Sequence, residues 1–518
     1  MVLRLADSLA VFLAILTILI IYSIRRRASA NRGLRLPPGP TPLPLLGNLL
    51  NMPNKNEWVV YREWCRKYNS DLVYAKTLGQ EIVVLNTAKA ATDLFEKRSS
   101  LYSDRPALTA LNDMFGFTWL TPAMPYGSMW RQQRKIYHST MNSHASQKYR
   151  PLEIKATRDL LSNTLQDPDA LERHFRHMAG QVILSIVYGI DIKPAGDEWV
   201  ELAEHAMTAF ALGTQFGGLI FDMLPFMRHM PWWFPGAGLK KDIPKYAQSI
   251  VDVLEKPYKE TEMAVARGNA PPSMAASIIM EQSTLPDSKK DRVSAQAVPA
   301  ASYLGAADTT ISSFMTFLLA MILNPDAQSR AQAEIDAVVG SSRLPGFDDE
   351  TSLPYVNALV KEVQRWHPVV PLTTPHRLVQ DDIYQGNFIP GGTTVIVNAW
   401  AILHNEAEYG PNPEAFNPER FLGQDDKFPD EIFGFGRRIC PGRHLARSTV
   451  WIVIVNLLAV FDINHAVDDH GRKIEVTEEY SSGVISYPKP FKFSVKPRSE
   501  AARRLMTSLG EDEGENQP

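Results

Sequence analysis

The stretch Phe433-Gly434-Phe435-Gly436-Arg437-Arg438-Ile439-Cys440-Pro441-Gly442 runs straight into an apolar segment over residues 443–461. Apolar residues recur nearly all round that segment, which predicts a buried helix. Pro441 just inside its start and the turn-forming glycines before it put Cys440 at the helix N-terminus. Exposed amides and the helix dipole there favour thiolate over thiol. A loop of glycines also lets the backbone pass close to something flat. A buried structural cysteine at a helix cap is the commoner reading of a lone thiol, but it leaves the glycines and Arg438 unexplained.

Around this loop stand 518 residues with net charge −3, 45% hydrophobic and 21% charged, the composition of a globular protein. Disorder, collagen and a disulfide scaffold are excluded. No long basic run follows residue 35, so there is no electrostatic footprint for nucleic acid. Cys65 and Cys440 are the only thiols, which allows at most one disulfide and points to a reducing compartment. Between about residues 46 and 498 no internal repeat is visible, and most apolar patterning has helical period. Short β-rich runs fall at 71–86, 386–396 and 483–495. The expectation is a mainly α fold with small β-sheets.

Residues 9–24 are almost all apolar, and Arg25, Arg26, Arg27, Arg32 and Arg35 follow. Residues 1–24 therefore read as a single-pass transmembrane anchor with the bulk of the chain in the cytosol. Ala28-Ser29-Ala30 resembles a signal-peptide cleavage site, but the three arginines between it and the apolar run argue against cleavage. Residues 25–45, basic and then proline-rich, read as a stiff hinge. Within 210–234, Trp232-Trp233-Phe234 lies between prolines, suited either to a core or to a membrane interface. Residues 499–518 end in an acidic run and are expected to be a disordered tail.

The loop around Cys440 resembles that of the haem-thiolate monooxygenases, the cytochrome P-450 superfamily, whose pattern F-x-x-G-x-R-x-C-x-G is matched at every fixed position. The resemblance implies that Cys440 is the axial ligand of the iron of haem b and that Arg438 pairs with a haem propionate. Glu362-Val363-Gln364-Arg365 and Pro418-Glu419-Arg420-Phe421 match two further family motifs, which implies a buried Glu362, Arg365 and Arg420 network behind the cysteine loop. Taken alone, such a Glu/Arg pair usually decorates a solvated helix. Gly305-Ala306-Ala307-Asp308-Thr309-Thr310 resembles the family's oxygen-binding groove, with Ala306 in place of the usual glycine. By resemblance Asp308 and Thr309 relay protons to dioxygen; by itself, a helical Thr bonding back to a carbonyl is only a local distortion. Trp130, Arg134 and His376 resemble further propionate partners, although a surface Trp/Arg pair is the commoner event.

The motifs occur in family order along almost the whole chain. The implied fold holds haem between the oxygen-binding helix and the cysteine-loop helix. The implied activity is insertion of one atom of dioxygen into a hydrophobic small molecule such as a terpenoid, polyketide or polycyclic aromatic. The wording of the motifs is most like that of fungal members of secondary metabolism and xenobiotic oxidation. No G-x-G-x-x-G strand–turn–helix is visible, so electrons from NADPH must arrive through a separate reductase, with Arg437, Arg443 and Arg447 as candidate contacts. A monomer in the endoplasmic reticulum membrane is expected. A haem-thiolate isomerase or dehydratase, needing no reductase, and a non-catalytic haem-binding protein are the rivals. Asp308-Thr309 argues against both, since neither needs a proton relay.

Overall fold

The computed structural model describes residues 34–44, 46–193, 196–286, 291–424 and 427–514. The expected anchor and the basic part of the hinge lie outside the described residues. Two compact units emerge, Met1–Pro106 with Pro375–Asn398, and Ala107–Thr374 with Ala399–Pro518.

The first unit carries helix α1 (Glu57–Tyr68) and strands β1 (Leu72–Thr77), β2 (Gln80–Leu85), β3 (His376–Arg377), β4 (Asp382–Tyr384), β5 (Asn387–Ile389) and β6 (Thr394–Val397). The main sheet has the order β1-β2-β6-β3, with β2 and β6 parallel and the other pairs antiparallel. Strands β4 and β5 form a hairpin whose two turn residues, Gln385 and Gly386, both have positive φ, as a two-residue turn matched to strand twist requires. The proline-rich segment is not a free spacer at its far end. Tyr74 N–H of β1 donates to Pro38 O at 2.8 Å, and a Cβ on Gly39 would collide with Tyr74 O. A proline run has no amides to donate but keeps its carbonyls, so it can lie along a strand edge as acceptor.

The second unit is helical. Its main helices are α2 (Ser128–Met141), α3 (Arg150–Gln166), α4 (Leu171–Tyr188), α5 (Glu198–Thr214), α6 (Ile243–Arg267), α7 (Arg292–Leu323), α8 (Pro325–Val338), α9 (Pro354–Trp366) and α10 (Arg443–Val460). A hairpin of β7 (Phe461–His465) and β8 (Phe493–Pro497) leads to α11 (Glu500–Gly514). Helix α7 is the axis of this unit and packs against α2, α4, α5, α6 and α10. Both α7 and α10 are long and apolar enough to cross a membrane, but most of each apolar window is buried inside the protein. They are core helices.

Two expectations need correction, and one helix starts against a local signal. Helix α7 starts at Arg292, two turns before Pro299, which lies inside it. Asp291 caps the start by accepting from Ser294 N–H at 3.0 Å, and Ala295, Ala297 and Val298 are buried, so burial and capping outweigh the missing proline amide. The 483–495 run contributes a strand only from Phe493; before it, an isolated Tyr480–Pro488 bridge closes a loop. Finally, the described part of the expected disordered tail is α11, which packs on α3 and α10 and buries Ala502 and Met506. Ala502, Leu505, Met506 and Leu509 make an i, i+3, i+4, i+7 stripe that the acidic end obscured.

Candidate active site

Cys440 closes a tight loop. Its N–H donates to Phe433 O at 2.9 Å, and the intervening chain turns through Gly434 at φ 80° and Gly436 at φ 57°, values that a side chain would strain. The thiol is free and partly accessible, while the helix behind it is buried. Against it stand the Gly442 N–H and the Arg134 and Arg443 guanidiniums, all favouring thiolate. Burial nevertheless outweighs them and pushes the thiol above its ordinary pKa.

Trp130, Arg134 and Arg438 converge beside the loop. Arg134 Nη1 donates to Ile439 O at 2.8 Å, Arg438 donates to Thr121 O and Met124 O, and the Arg438 guanidinium lies over the Trp130 ring at 4.6 Å. Arg134 has no carboxylate partner among the described residues, and burial pulls its pKa down. His376 belongs to the first unit, stacked on Phe95 at 4.1 Å with Nδ1 2.6 Å from Tyr102 O. A carbonyl only accepts, so Nδ1 carries a proton, and Nε2 donates to an anion only in the imidazolium form.

Helix α7 carries a second accessible stretch. Residues 294–304 and 311–322 are almost continuously buried, but the six residues from Gly305 to Thr310 are accessible, and a Cβ on Gly305 would meet open space. Thr309 Oγ1 donates back to Gly305 O at 2.7 Å, the local distortion anticipated from sequence. Asp308 faces Arg176 Nη1 at 3.7 Å, and its carbonyl accepts from Tyr487 Oη at 2.7 Å. Burial raises the Asp308 pKa, with Arg176 and Tyr487 opposing.

Behind the loop, Glu362 and Arg365 are wholly buried and Arg420 nearly so. Arg365 Nε and Nη2 grip the Glu362 carboxylate at 2.6 and 2.8 Å, while Arg420 Nε and Asn417 N–H donate to Glu362 Oε1 at 3.1 and 2.7 Å. The remaining guanidinium protons reach Leu403 O, Pro413 O, Ala415 O and Tyr409 O. The three predicted residues are thus one network: Glu362 and Arg365 stand on a helix buried on nearly all sides rather than on a solvated face, and Arg420 reaches them from the Pro418–Phe421 turn. Sequence reading missed Arg176 and Tyr487. Tyr487 is 179 positions from Asp308, and no local spacing signals such a contact.

The residues suit a flat anionic macrocycle carrying a metal: a soft sulfur ligand, guanidiniums beside it, and an accessible window in an otherwise buried helix. A family model described as Cytochrome P-450 matches residues 37–495. The chain belongs to the cytochrome P-450 family. It is 41% identical over 486 residues, 92% of each chain, to the cytochrome P-450 monooxygenase eriA of Hericium erinaceus. It is 40% identical to cytochrome P-450 monooxygenase 208 of Postia placenta, over 96% of this chain and 97% of the relative. Against the tryptamine 4-monooxygenase of Psilocybe cyanescens it is 36% identical, over 93% and 96%. Over such coverage the chain is a cytochrome P-450 monooxygenase, and the family implies haem iron held by a cysteine thiolate, with a reductase supplying electrons.

Proposed function

We propose that the protein inserts one atom of dioxygen into a hydrophobic small molecule of fungal secondary metabolism, drawing electrons from NADPH through a membrane-bound reductase. The observation that carries this reading is the presence in one family chain of both the partly accessible Cys440 loop and the accessible window from Gly305 to Thr310 in an otherwise buried helix. Cys440 would hold the haem iron, and Trp130, Arg134, Arg438 and His376 would bind its propionates. When bound, the haem supplies oxygen activation and the oxidising equivalent. The chain's own residues do the rest. Asp308 and Thr309 hold and pass protons, Ala306 narrows the groove beside them, and the Glu362, Arg365 and Arg420 network fixes the loop that carries Cys440.

The substrate class follows from the apolar residues around α7. Phe117 and Phe210 meet edge to face with ring centres 6.2 Å apart, while Ala307, Val370, Leu372, Val484 and Ile485 keep partial exposure. Terpenoids, polyketides and fused aromatics suit such walls, and the name of one relative, a tryptamine 4-monooxygenase, supports keeping fused aromatics among them. Of the proposed reductase contacts, Arg437 is exposed and engages only the neutral Tyr126 among the described residues, whereas Arg447 is paired with the Asp430 carboxylate and lies over Phe428. Arg437 is therefore the stronger docking candidate.

The test is to incubate membranes containing the protein and a matched reductase with terpenes, fused aromatics, steroids and fatty acids, with and without NADPH. An NADPH-dependent product heavier by one oxygen, absent in Cys440→Ser, is expected. Conversion that ignores NADPH would overturn the reading.

A further inference from the structure

Asp308 is held from two sides by elements far away in sequence. Arg176 of α4 approaches its carboxylate at 3.7 Å and is itself paired with Glu172 at 3.1 Å. Tyr487, in the loop before β8, donates to the Asp308 carbonyl at 2.7 Å. Two neighbouring bonds pin that loop to α7 and α9: Ser312 Oγ donates to Ser486 O, and Ser486 Oγ meets His367 Nε2 at 2.9 Å. The loop is therefore a fixed strut on which the Tyr487 hydroxyl is aimed at one residue of α7.

On the same side of α7 lies a small cleft of about 20 Å³, lined mostly by apolar groups but with Arg176, Glu204, Tyr303 and Asp308 at its wall. That is room for about one water molecule, with polar partners to hold it. Thr309, the next residue, bonds instead to Gly305 O within the accessible window. Asp308 thus borders a cleft with room for a water on one side and, through its neighbour Thr309, the accessible window on the other.

We propose that Tyr487 is a positioning residue for the proton relay: together with Arg176 it holds the Asp308 carboxyl group on the cleft side of α7, where water reloads it with a proton. This rests on the monooxygenase reading. A phenolic hydroxyl has one proton and here two acceptors, the carbonyl and the carboxylate of the same residue. When Asp308 is ionised the hydroxyl stabilises the charge; when Asp308 is protonated it returns to the carbonyl. The loop thereby sets how readily the group is held and released. The groups facing Asp308 are Arg176 and Glu172 from α4, Glu204 from α5, Tyr303 from α7 and Tyr487 itself.

The experiment uses Tyr487→Phe in the full-length, haem-loaded protein. The first readout is the infrared carboxyl band of Asp308, assigned by its loss in Asp308→Asn and titrated in the ferric state. Its midpoint should move upward, because a donor to the ionised form is gone. The second is hydrogen peroxide released per NADPH consumed, expected to rise about fivefold, the worth of one net hydrogen bond. Haem content and the thiolate spectrum should stay unchanged. Should Tyr487→Phe fail to load haem, Arg176→Met must shift the same titration upward, with Arg176→Lys restoring it. An unmoved midpoint in the variant that loads overturns the inference. Because that titration needs no turnover, it stands or falls separately from the monooxygenase reading.

Discussion

Arg365 is a guanidinium with no exposed side-chain surface, held by a carboxylate and three carbonyls. Removing it strands Glu362 in the interior with Arg420 as its remaining cation. Breaking one partner out of a buried ion network costs about 3–5 kcal/mol, since the survivor is left poorly compensated. Arg365→Ala should therefore lower the thermal midpoint and reduce haem bound per polypeptide, measured by haem absorbance against protein concentration. Normal haem content would end the proposed role in haem incorporation. Arg365→Lys should recover little, because one ammonium cannot grip the carboxylate bidentately while reaching carbonyls on the other side. The pair itself was legible from sequence as Glu362 and Arg365 three apart, and Pro418-Glu419-Arg420-Phe421 supplied the third member. Its burial was not legible from the helix. The apolar stripe through Val356, Leu359, Val360 and Val363 put Glu362 and Arg365 on the far face, and only the fold shows that residues 403–420 cover that face. Tyr487 lies at the other extreme, since nothing around it announces Asp308.

Helices α3 and α10 share a buried acid where they pack. Glu153 of α3 is inaccessible, and its Oε1 accepts from Ser448 Oγ and Thr449 Oγ1 of α10 at 2.6 Å each, while Oε2 has no partner. Burial raises its pKa from 4.5 to about 7. A folded-state value above the unfolded one means that the folded protein holds a proton the unfolded chain has already released. The slope of stability with pH is then negative across that window. Stability should fall as pH rises from about 4.5 to about 7, by at most about 1.4 kcal/mol per unit from this group. Glu153→Gln keeps the acceptor for both hydroxyls and removes the titration, so its unfolding midpoint should lose this decline. Denaturant melts at several pH values would show it, and parallel pH profiles for the two proteins would refute it. Elements differ in how far the chain declares them. Helix α10 follows its apolar run over 443–461 to within a residue, and β1, β2, β5 and β6 lie in the runs rich in β-branched residues. Helix α7 hid its first two turns behind Pro299, and α11 hid its apolar stripe behind acidic residues. In both, packing against neighbouring helices outweighs a local signal that by itself reads as a stop.

At the scale of the whole molecule, a surface feature bears on the proposed single-pass anchor at residues 1–24, an endoplasmic reticulum location and a cytosolic body. Trp232 and Trp233 are 57% and 69% exposed, with Phe226, Phe234 and Leu219 exposed in the same stretch of chain. Their neighbours are basic: Lys241 lies 5.7 Å from the Trp232 ring, and Lys240 donates to Arg228 O and Met230 O. Isolated exposed apolar residues need no explanation, but five in one short segment form a patch. Indole rings beside ammonium groups suit the boundary between lipid headgroups and acyl chains, where the ring is buried and the cation meets phosphate. One such patch gives reversible binding rather than anchorage, so the two membrane signals are expected to act together. Removing residues 1–24 should therefore shift the protein only partly into the soluble fraction, most visibly at low salt. Adding Trp232→Ser, Trp233→Ser and Phe234→Ser to that deletion should release it. These positions are exposed, so the triple change should leave the thermal midpoint and haem spectrum intact, which separates lost membrane contact from lost folding. Equal partitioning of the two proteins between pellet and supernatant, on vesicles containing anionic lipid, would mean that this patch does not touch the membrane.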